Sequence, residues 1–358
     1  MKKVLSFIMV ICLLYPCKTF SLVDTSRSSI VMDMNSGRIL YQKNINEKML
    51  IASTTKIMTF VVAVENGFLD DVVTVGDEVL SMYGTNIYLE VGEQMTLRDL
   101  LYGLILRSGN DAAVVIAKHV GGSIENFVDL MNKKAKLLGM TNTKFSNPHG
   151  LDDETENYST AYDMAKLTKY ASSLMEFVEI SGTKKWKTTS NNKTYIWYNR
   201  NKMLNNSYVT GGKTGYTPKA GKTLVSTASK DNLNLIAVTL NDGNHYDTQK
   251  HLFEYAFSNY KSTLIIDKDN IDFDNKLYDE LYINYNFSYP LKDGEFDKIE
   301  RHIDLYQLDN YENNQKVGEI SVFFDGEKIY SENIYAKKQK EGGKSIFDNI
   351  IDFFVSLF

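Results

Sequence analysis

Residues 51–60 read IASTTKIMTF, and within them Ser53 and Lys56 stand three positions apart, just before an apolar run. A serine hydroxyl is a poor nucleophile until a base takes its proton. A lysine amine can be that base only when neutral. Its ordinary pKa of about 10.4 must then fall by roughly three units, a cost of about 4 kcal/mol. The S-x-x-K pattern alone decides nothing, because it recurs at Ser181/Lys184, Ser190/Lys193 and Ser258/Lys261. Two further polar elements follow in order, Ser108-Gly109-Asn110 and Lys213-Thr214-Gly215. S-x-N is weak by itself, since Ser190-Asn191-Asn192 also matches, but K-T-G occurs once. Burial of Lys56 and a second cation, Lys213, would both push the Lys56 pKa down. The alternative is a proton held between Lys56 and Ser108.

The elements around these residues supply the context. Ile57, Phe60, Val61 and Val64 recur at helical spacing and Gly67 is a natural stop, so Ser53 falls in or near the first turn of a buried helix. Leu97, Leu100, Leu101 and Leu104 mark another helix, with Thr96 and Asp99 as a capping pair, running into the polar turn RSGND. Helices follow from Ala112, over SIENFVDLMNKKAKLLGM, and from near Ser159. Strands bracket this helical block. SSIVMDMNSGRILYQKN reads as two strands around Asn35-Ser36-Gly37. VTGGKTGYT, GKTLVSTAS and LNLIAVTLN read as three more, the last two joined at Lys230-Asp231-Asn232. A helix over 251–260 closes the domain. The expected architecture is α/β (α+β), with one mixed sheet built from distant segments. From residue 262 the pattern is of short strands, with a hairpin turn at Asp325-Gly326, an all-β domain over 262–338.

Order and context together form the motif set of the active-site serine penicillin-recognising enzymes. The similarity extends to ASTTKIMT, EVGEQMTLRDLLYGLILRSGNDAA, MNKKAKLLGMTNTKFSNPHGL, YSTAYDMAKL and GKTGYT. On these stretches the chain resembles a D-alanyl-D-alanine carboxypeptidase, a low-molecular-mass penicillin-binding protein. The resemblance covers nearly all of residues 25–258. It implies a β-lactamase/transpeptidase-like domain over 25–260 that removes the terminal D-alanine from peptidoglycan stem peptides through a Ser53 acyl-enzyme. It implies inhibition by β-lactam antibiotics. Ser108 would pass a proton to the leaving D-alanine, and Asn110 would fix Lys56 and the substrate amide. Lys213 and Thr214 would hold the terminal carboxylate, with Gly215 leaving room for close approach. The oxyanion donors would be the backbone N–H groups of Ser53 and Tyr216. Arg200 matches a family arginine near the carboxylate, its alternative being a solvated surface charge. Arg107, Thr210 and Gly212 depart from the usual pattern around these motifs.

Competing readings remain open at this point. A β-lactamase shares the motifs, but the class A element E-x-x-x-N is missing where KFSNPHG stands, and Glu154 and Asn157 have the wrong spacing. A D,D-endopeptidase would use the same chemistry on a cross-link. A wall-binding protein with a vestigial site is disfavoured by the complete motif set. His149 reads as a loop-stabilising turn residue, Asp163 as a helix cap, and Ser190/Lys193 as an exposed loop.

Composition removes other classes. The 358 residues carry a net charge of -5, which gives no reason to expect nucleic acid. There is no C-x-x-C or H-E-x-x-H, so neither metal nor cofactor is expected. Residues 1–21, with Lys2, Lys3 and a short apolar run, read as an export signal, the alternative being an uncleaved anchor. Both cysteines, Cys12 and Cys17, lie in it, so cleavage leaves no disulfide and no thiol nucleophile. The closing segment KSIFDNIIDFFVSLF, residues 344–358, reads as an amphipathic helix that anchors the chain to the outer membrane surface. Docking on its own domain is the alternative. The expected location is the outer face of the cytoplasmic membrane and the cell wall.

Overall fold

The computed structural model describes residues 22–338, which divide into two units at Asn259/Tyr260. Residues 1–21, expected to be an export signal, and 344–358, expected to be an amphipathic helix, lie outside the described residues.

The first unit is built on a five-stranded sheet of β1 (Ser28–Asp33), β2 (Ile39–Lys43), β3 (Val209–Thr217), β4 (Gly221–Lys230) and β5 (Leu233–Leu240), in the spatial order β2-β1-β5-β4-β3. The sheet joins segments almost 170 residues apart, as expected, but it is not mixed. Every pairing is antiparallel. The reason is the connections: β1–β2, β3–β4 and β4–β5 are hairpins, and short turns force antiparallel neighbours. Asp231 and Asn232 both take positive φ (49° and 62°), which suits a tight hairpin between β4 and β5.

Between β2 and β3 lies the helical block: α1 (Lys56–Asn66), α2 (Leu97–Tyr102), α3 (Asn110–Gly121), α4 (Ile124–Leu137), α5 (Ala161–Ala171) and α6 (Met175–Gly182). Thr96 caps α2 by accepting from Asp99 N at 3.1 Å, and Thr160 caps α5 by accepting from Asp163 N at 3.0 Å. Phe60, Leu100, Leu104, Phe127, Met164 and Phe177 bury their side chains in one core with Ile30, Val238 and Leu240 of the sheet. α7 (His245–Asn259) covers the sheet, with its buried Leu252 and Phe253.

One stretch read as loop is a strand pair. Lys185–Thr189 and Thr194–Tyr198 form an antiparallel ribbon, and Ser190/Lys193 is its turn, with Ser190 N donating to Lys193 O at 2.9 Å. The alternation was visible in TYIWY, where Tyr195 and Trp197 are buried and their neighbours exposed. The polar residues of the turn concealed it.

The second unit, from Tyr260, is β-rich. Lys261–Ile266 pairs with Phe287–Leu291, and a four-stranded antiparallel sheet runs in the order Glu280–Tyr282, Glu327–Lys337, Gln315–Phe324, Ile299–Leu305. Asp325 and Gly326 turn at φ 53° and 82°. Its own core contains Ile266, Val317, Ile320, Val322 and Ile334.

Candidate active site

Ser53 sits on a 3₁₀ turn, Ala52–Thr55, that runs directly into α1. In a 3₁₀ turn residues three apart eclipse one another. That is why the S-x-x-K spacing works here: the Lys56 side chain lies alongside Ser53, with Nζ 3.2 Å from Ser53 Oγ. Ala52 enters the turn at φ 47°, a left-handed conformation costly for alanine. The NPHG loop locks it in place. Gly150 packs so closely that a Cβ there would overlap the Ala52 carbonyl.

Ser108 arrives by a different device. α2 continues as a π-helical stretch, Gly103–Arg107, and Ser108 ends it in the left-handed region at φ 65°. Such π stretches, bonded i→i+5, widen the helix locally and often mark functional sites. α3 then starts at Asn110, whose side chain is buried. Lys213 and Thr214 come from β3, the edge of the main sheet, and the Lys213 ammonium donates to Ser108 Oγ at 2.9 Å and Thr214 O at 2.7 Å.

Lys56 is wholly buried. Besides Ser53 Oγ, Nζ contacts Asn110 Oδ1 at 2.8 Å and His149 O at 2.6 Å. The Asn110 amide is oriented by its other end, since Nδ2 donates to Tyr83 O at 2.7 Å. The Lys56 pKa is held well below the usual lysine value, first by burial and then by the Lys213 charge, with Arg200 adding to it and Asp111 opposing. Lys213 is pushed down to about 7 by burial and by Arg200.

A cleft of about 480 Å³ opens over these groups. Ser53, Ser108, Thr214, Gly215, Tyr216 and Arg200 line it. Arg200 is therefore at the cleft, its NH1 donating to Thr85 Oγ1 at 3.1 Å. Gly215 lies so close to the nucleophile turn that a Cβ would stand 2.9 Å from Ser53 N and 3.0 Å from Thr54 N. All nine residues singled out from the sequence thus converge. Of the departures, Arg107 ends the π stretch, Thr210 donates to Thr227 Oγ1 at 2.8 Å, and Gly212 crosses β4 at φ 130°, where a Cβ would overlap Val225 O.

Three supports of the site carry no sequence motif. His149 contributes its backbone carbonyl. Its imidazole accepts from Leu151 N at 3.1 Å, and burial plus the Lys56 charge push its pKa down to about 3. Asn157, dismissed for its spacing, ties the NPHG loop to the nucleophile turn by donating to Thr55 Oγ1 at 3.0 Å and Asn147 O at 2.9 Å. Asp111 accepts from Ile87 N at 3.0 Å and Leu89 N at 3.1 Å, fixing the segment that carries Tyr83 and Thr85. Neighbouring amides in a buried polar network carry no one-dimensional pattern.

Comparison with known proteins agrees with this geometry. Residues 21–244 match the D-alanyl-D-alanine carboxypeptidase family, peptidase S11. The chain belongs to that family. As a serine-type D-Ala-D-Ala carboxypeptidase it is an enzyme of peptidoglycan metabolism and a penicillin-binding protein. Residues 264–341 of the carboxypeptidase match the C-terminal domain of penicillin-binding protein 5. It is 33% identical over 341 residues to the D-alanyl-D-alanine carboxypeptidase DacF of Bacillus subtilis, covering 90% of this chain and 87% of that one. Penicillin binding protein 5 from Haemophilus influenzae has a similar structure, with a TM-score of 0.71 and 29% identity over 88% of this chain and 97% of that one. Penicillin binding protein 6B from Escherichia coli gives 0.69 and 27%, covering 89% and 97%.

Proposed function

We propose that Ser53 is the acylated nucleophile of this carboxypeptidase and neutral Lys56 its base. One observation carries the assignment. A neutral amine has two N–H donors and one lone pair. Two of the three atoms around Lys56 Nζ, Asn110 Oδ1 and His149 O, have no proton to give, so they take the two donors. The lone pair is left facing Ser53 Oγ, which has a proton to give.

Ser53 Oγ attacks the penultimate D-alanine carbonyl as its proton passes to Lys56. The N–H groups of Ser53 and Tyr216 hold the oxyanion, and the close approach of Gly215 to Ser53 N supports this pairing. Lys213, Thr214 and Arg200 hold the terminal carboxylate. Ser108 accepts a hydrogen bond from Lys213, which leaves its own proton free for the departing amine as the C–N bond breaks. The proton that Lys56 took then reprotonates Ser108, leaving Lys56 neutral. Water attacks the Ser53 ester, Lys56 takes its proton, and that proton passes to Ser53 Oγ as the ester C–O bond breaks. Asn110 fixes Lys56 and the substrate amide. A β-lactam presents a carbonyl and a carboxylate to the same groups and acylates Ser53.

In this reading residues 25–260 form the peptidase domain and 262–338 the all-β domain. Residues 1–21 direct export, and 344–358 hold the enzyme at the outer face of the cytoplasmic membrane. The test is D-alanine release from a pentapeptide muropeptide. Ser53→Ala should abolish it in a folded protein, and release persisting in that variant would refute the assignment.

A further inference from the structure

The cleft has more lining than the groups assigned to the terminal carboxylate. Besides Arg200, whose backbone carbonyl accepts from Tyr246 OH at 3.2 Å, Lys202, Lys222, His245 and Tyr246 line it. Lys222 pairs across the strands with Tyr216, and its Nζ donates to Gly243 O at 2.9 Å. His245 Nδ1 is buried without a hydrogen-bond partner. No carboxylate is among the lining residues. Asp242 and Asp247 act on His245 from outside the cleft, and Asp242 is wholly buried and accepts from Thr25 and Asn244 N.

Arg200 and Lys213 already neutralise one terminal carboxylate, and the methyl of a departing alanine fills little of 480 Å³. Lys202 and Lys222 are cations in excess of what D-alanine needs. We propose that the part of the cleft lined by Lys202 and Lys222 is a subsite for a leaving D-residue larger than alanine, whose side chain carries a carboxylate held by these two lysines.

This inference rests on the Ser53 acyl-enzyme reading. The bonds exchanged are the same: Ser53 Oγ bonds the penultimate carbonyl carbon, the C–N bond to the leaving residue breaks, and its amine gains the proton. Two sources share the required chemistry. One is a monomeric stem ending in an acidic D-residue. The other is a cross-linked stem, in which the leaving nitrogen belongs to a second, carboxylate-bearing peptide.

The test uses the full chain and pentapeptides ending in D-Ala, D-Glu or D-Gln, with a cross-linked muropeptide dimer as a fourth substrate. The expected kcat/KM for D-Glu exceeds that for its neutral isostere D-Gln by roughly three- to tenfold at low salt, the scale of two exposed ion pairs. Added salt should shrink the preference. Lys202→Ala with Lys222→Ala should erase it while D-Ala release stays within twofold. Equal rates for D-Glu and D-Gln, or a preference that survives in the double variant, overturn the subsite. Absence of D-Ala release from the wild-type chain would instead overturn the acyl-enzyme reading. Dimer cleavage that falls in the double variant assigns the subsite to cross-links. A dimer left intact while the D-Glu peptide is cleaved assigns it to monomeric stems.

Discussion

Gly215 is the position where one added methyl should separate the nucleophile turn from its sheet. A Cβ at Gly215 would overlap Thr223 Oγ1 and stand 2.9 Å from Ser53 N and 3.0 Å from Thr54 N. Thr223 has no easy retreat, because it is buried and its hydroxyl donates to Ile51 O at 3.0 Å. Ordinary carbon–nitrogen contact needs about 3.5 Å or more, so β3 must withdraw by about half an ångström to one. Overpacking of this kind costs about 1–3 kcal/mol of stability. The catalytic loss should be larger, because Tyr216 N–H moves with the strand. A misplacement near 1 Å costs on the order of 10²-fold, comparable to the loss of one oxyanion donor. Gly215→Ala should therefore lower kcat/KM for D-alanine release about 10²-fold, mostly in kcat, with circular dichroism unchanged and Tm reduced. β-Lactam acylation should slow in parallel. Gly243→Ala, where a Cβ meets nothing within 4 Å, is the control and should behave as wild type. Activity of folded Gly215→Ala within threefold of wild type would refute the reasoning.

Three further outcomes follow from the buried charges. Between about pH 7, where folded Lys213 titrates, and its ordinary value of 10.5, the unfolded chain binds the extra proton, so this group's contribution to stability rises with pH. Lys213→Met should thus raise stability most below pH 7, by on the order of 1–3 kcal/mol read by denaturant unfolding, the gain shrinking toward pH 10, while activity is lost. A gain independent of pH would contradict the assignment. Asp111→Asn removes a carboxylate that raises the Lys56 pKa, so the acid limb of the acylation pH profile should move to lower pH. The lost hydrogen bonding should also lower stability by about 1–3 kcal/mol, read by denaturant unfolding. His149→Ala keeps the carbonyl that holds Lys56 and should cost less than about tenfold in kcat/KM, against about 10³-fold or more for Lys56→Ala. Equal losses in the two variants would make the imidazole the base.

The nine residues that meet at the cleft were legible because the nucleophile, base, proton donor and carboxylate binder of the proposed chemistry each call for a particular residue type at a set place in the chain. Turns were legible where the residue type dictates the backbone, as at Asp325-Gly326 and Asp231-Asn232. The direction of the sheet was not, since VTGGKTGYT has the same composition whether its neighbour runs parallel or antiparallel. The roles of Asn157 and Asp111 were hidden for another reason. Each acts on backbone amides brought near by folding, and any short polar residue in a loop looks alike in sequence. His149 shows the limit most plainly. Its imidazole is of a type that often serves as a base, while the group that reaches Lys56 is a carbonyl every residue possesses.

Acylation of Ser53 with neutral Lys56 as its base can be followed by exposing the folded chain to a β-lactam and mapping the adduct by mass spectrometry, with its rate of formation measured against pH. One adduct per chain is expected, on Ser53, forming faster as pH rises through the depressed Lys56 pKa and about 10³-fold or more slowly in Lys56→Ala. An adduct on any other residue, or acylation of Lys56→Ala at the wild-type rate, would contradict it.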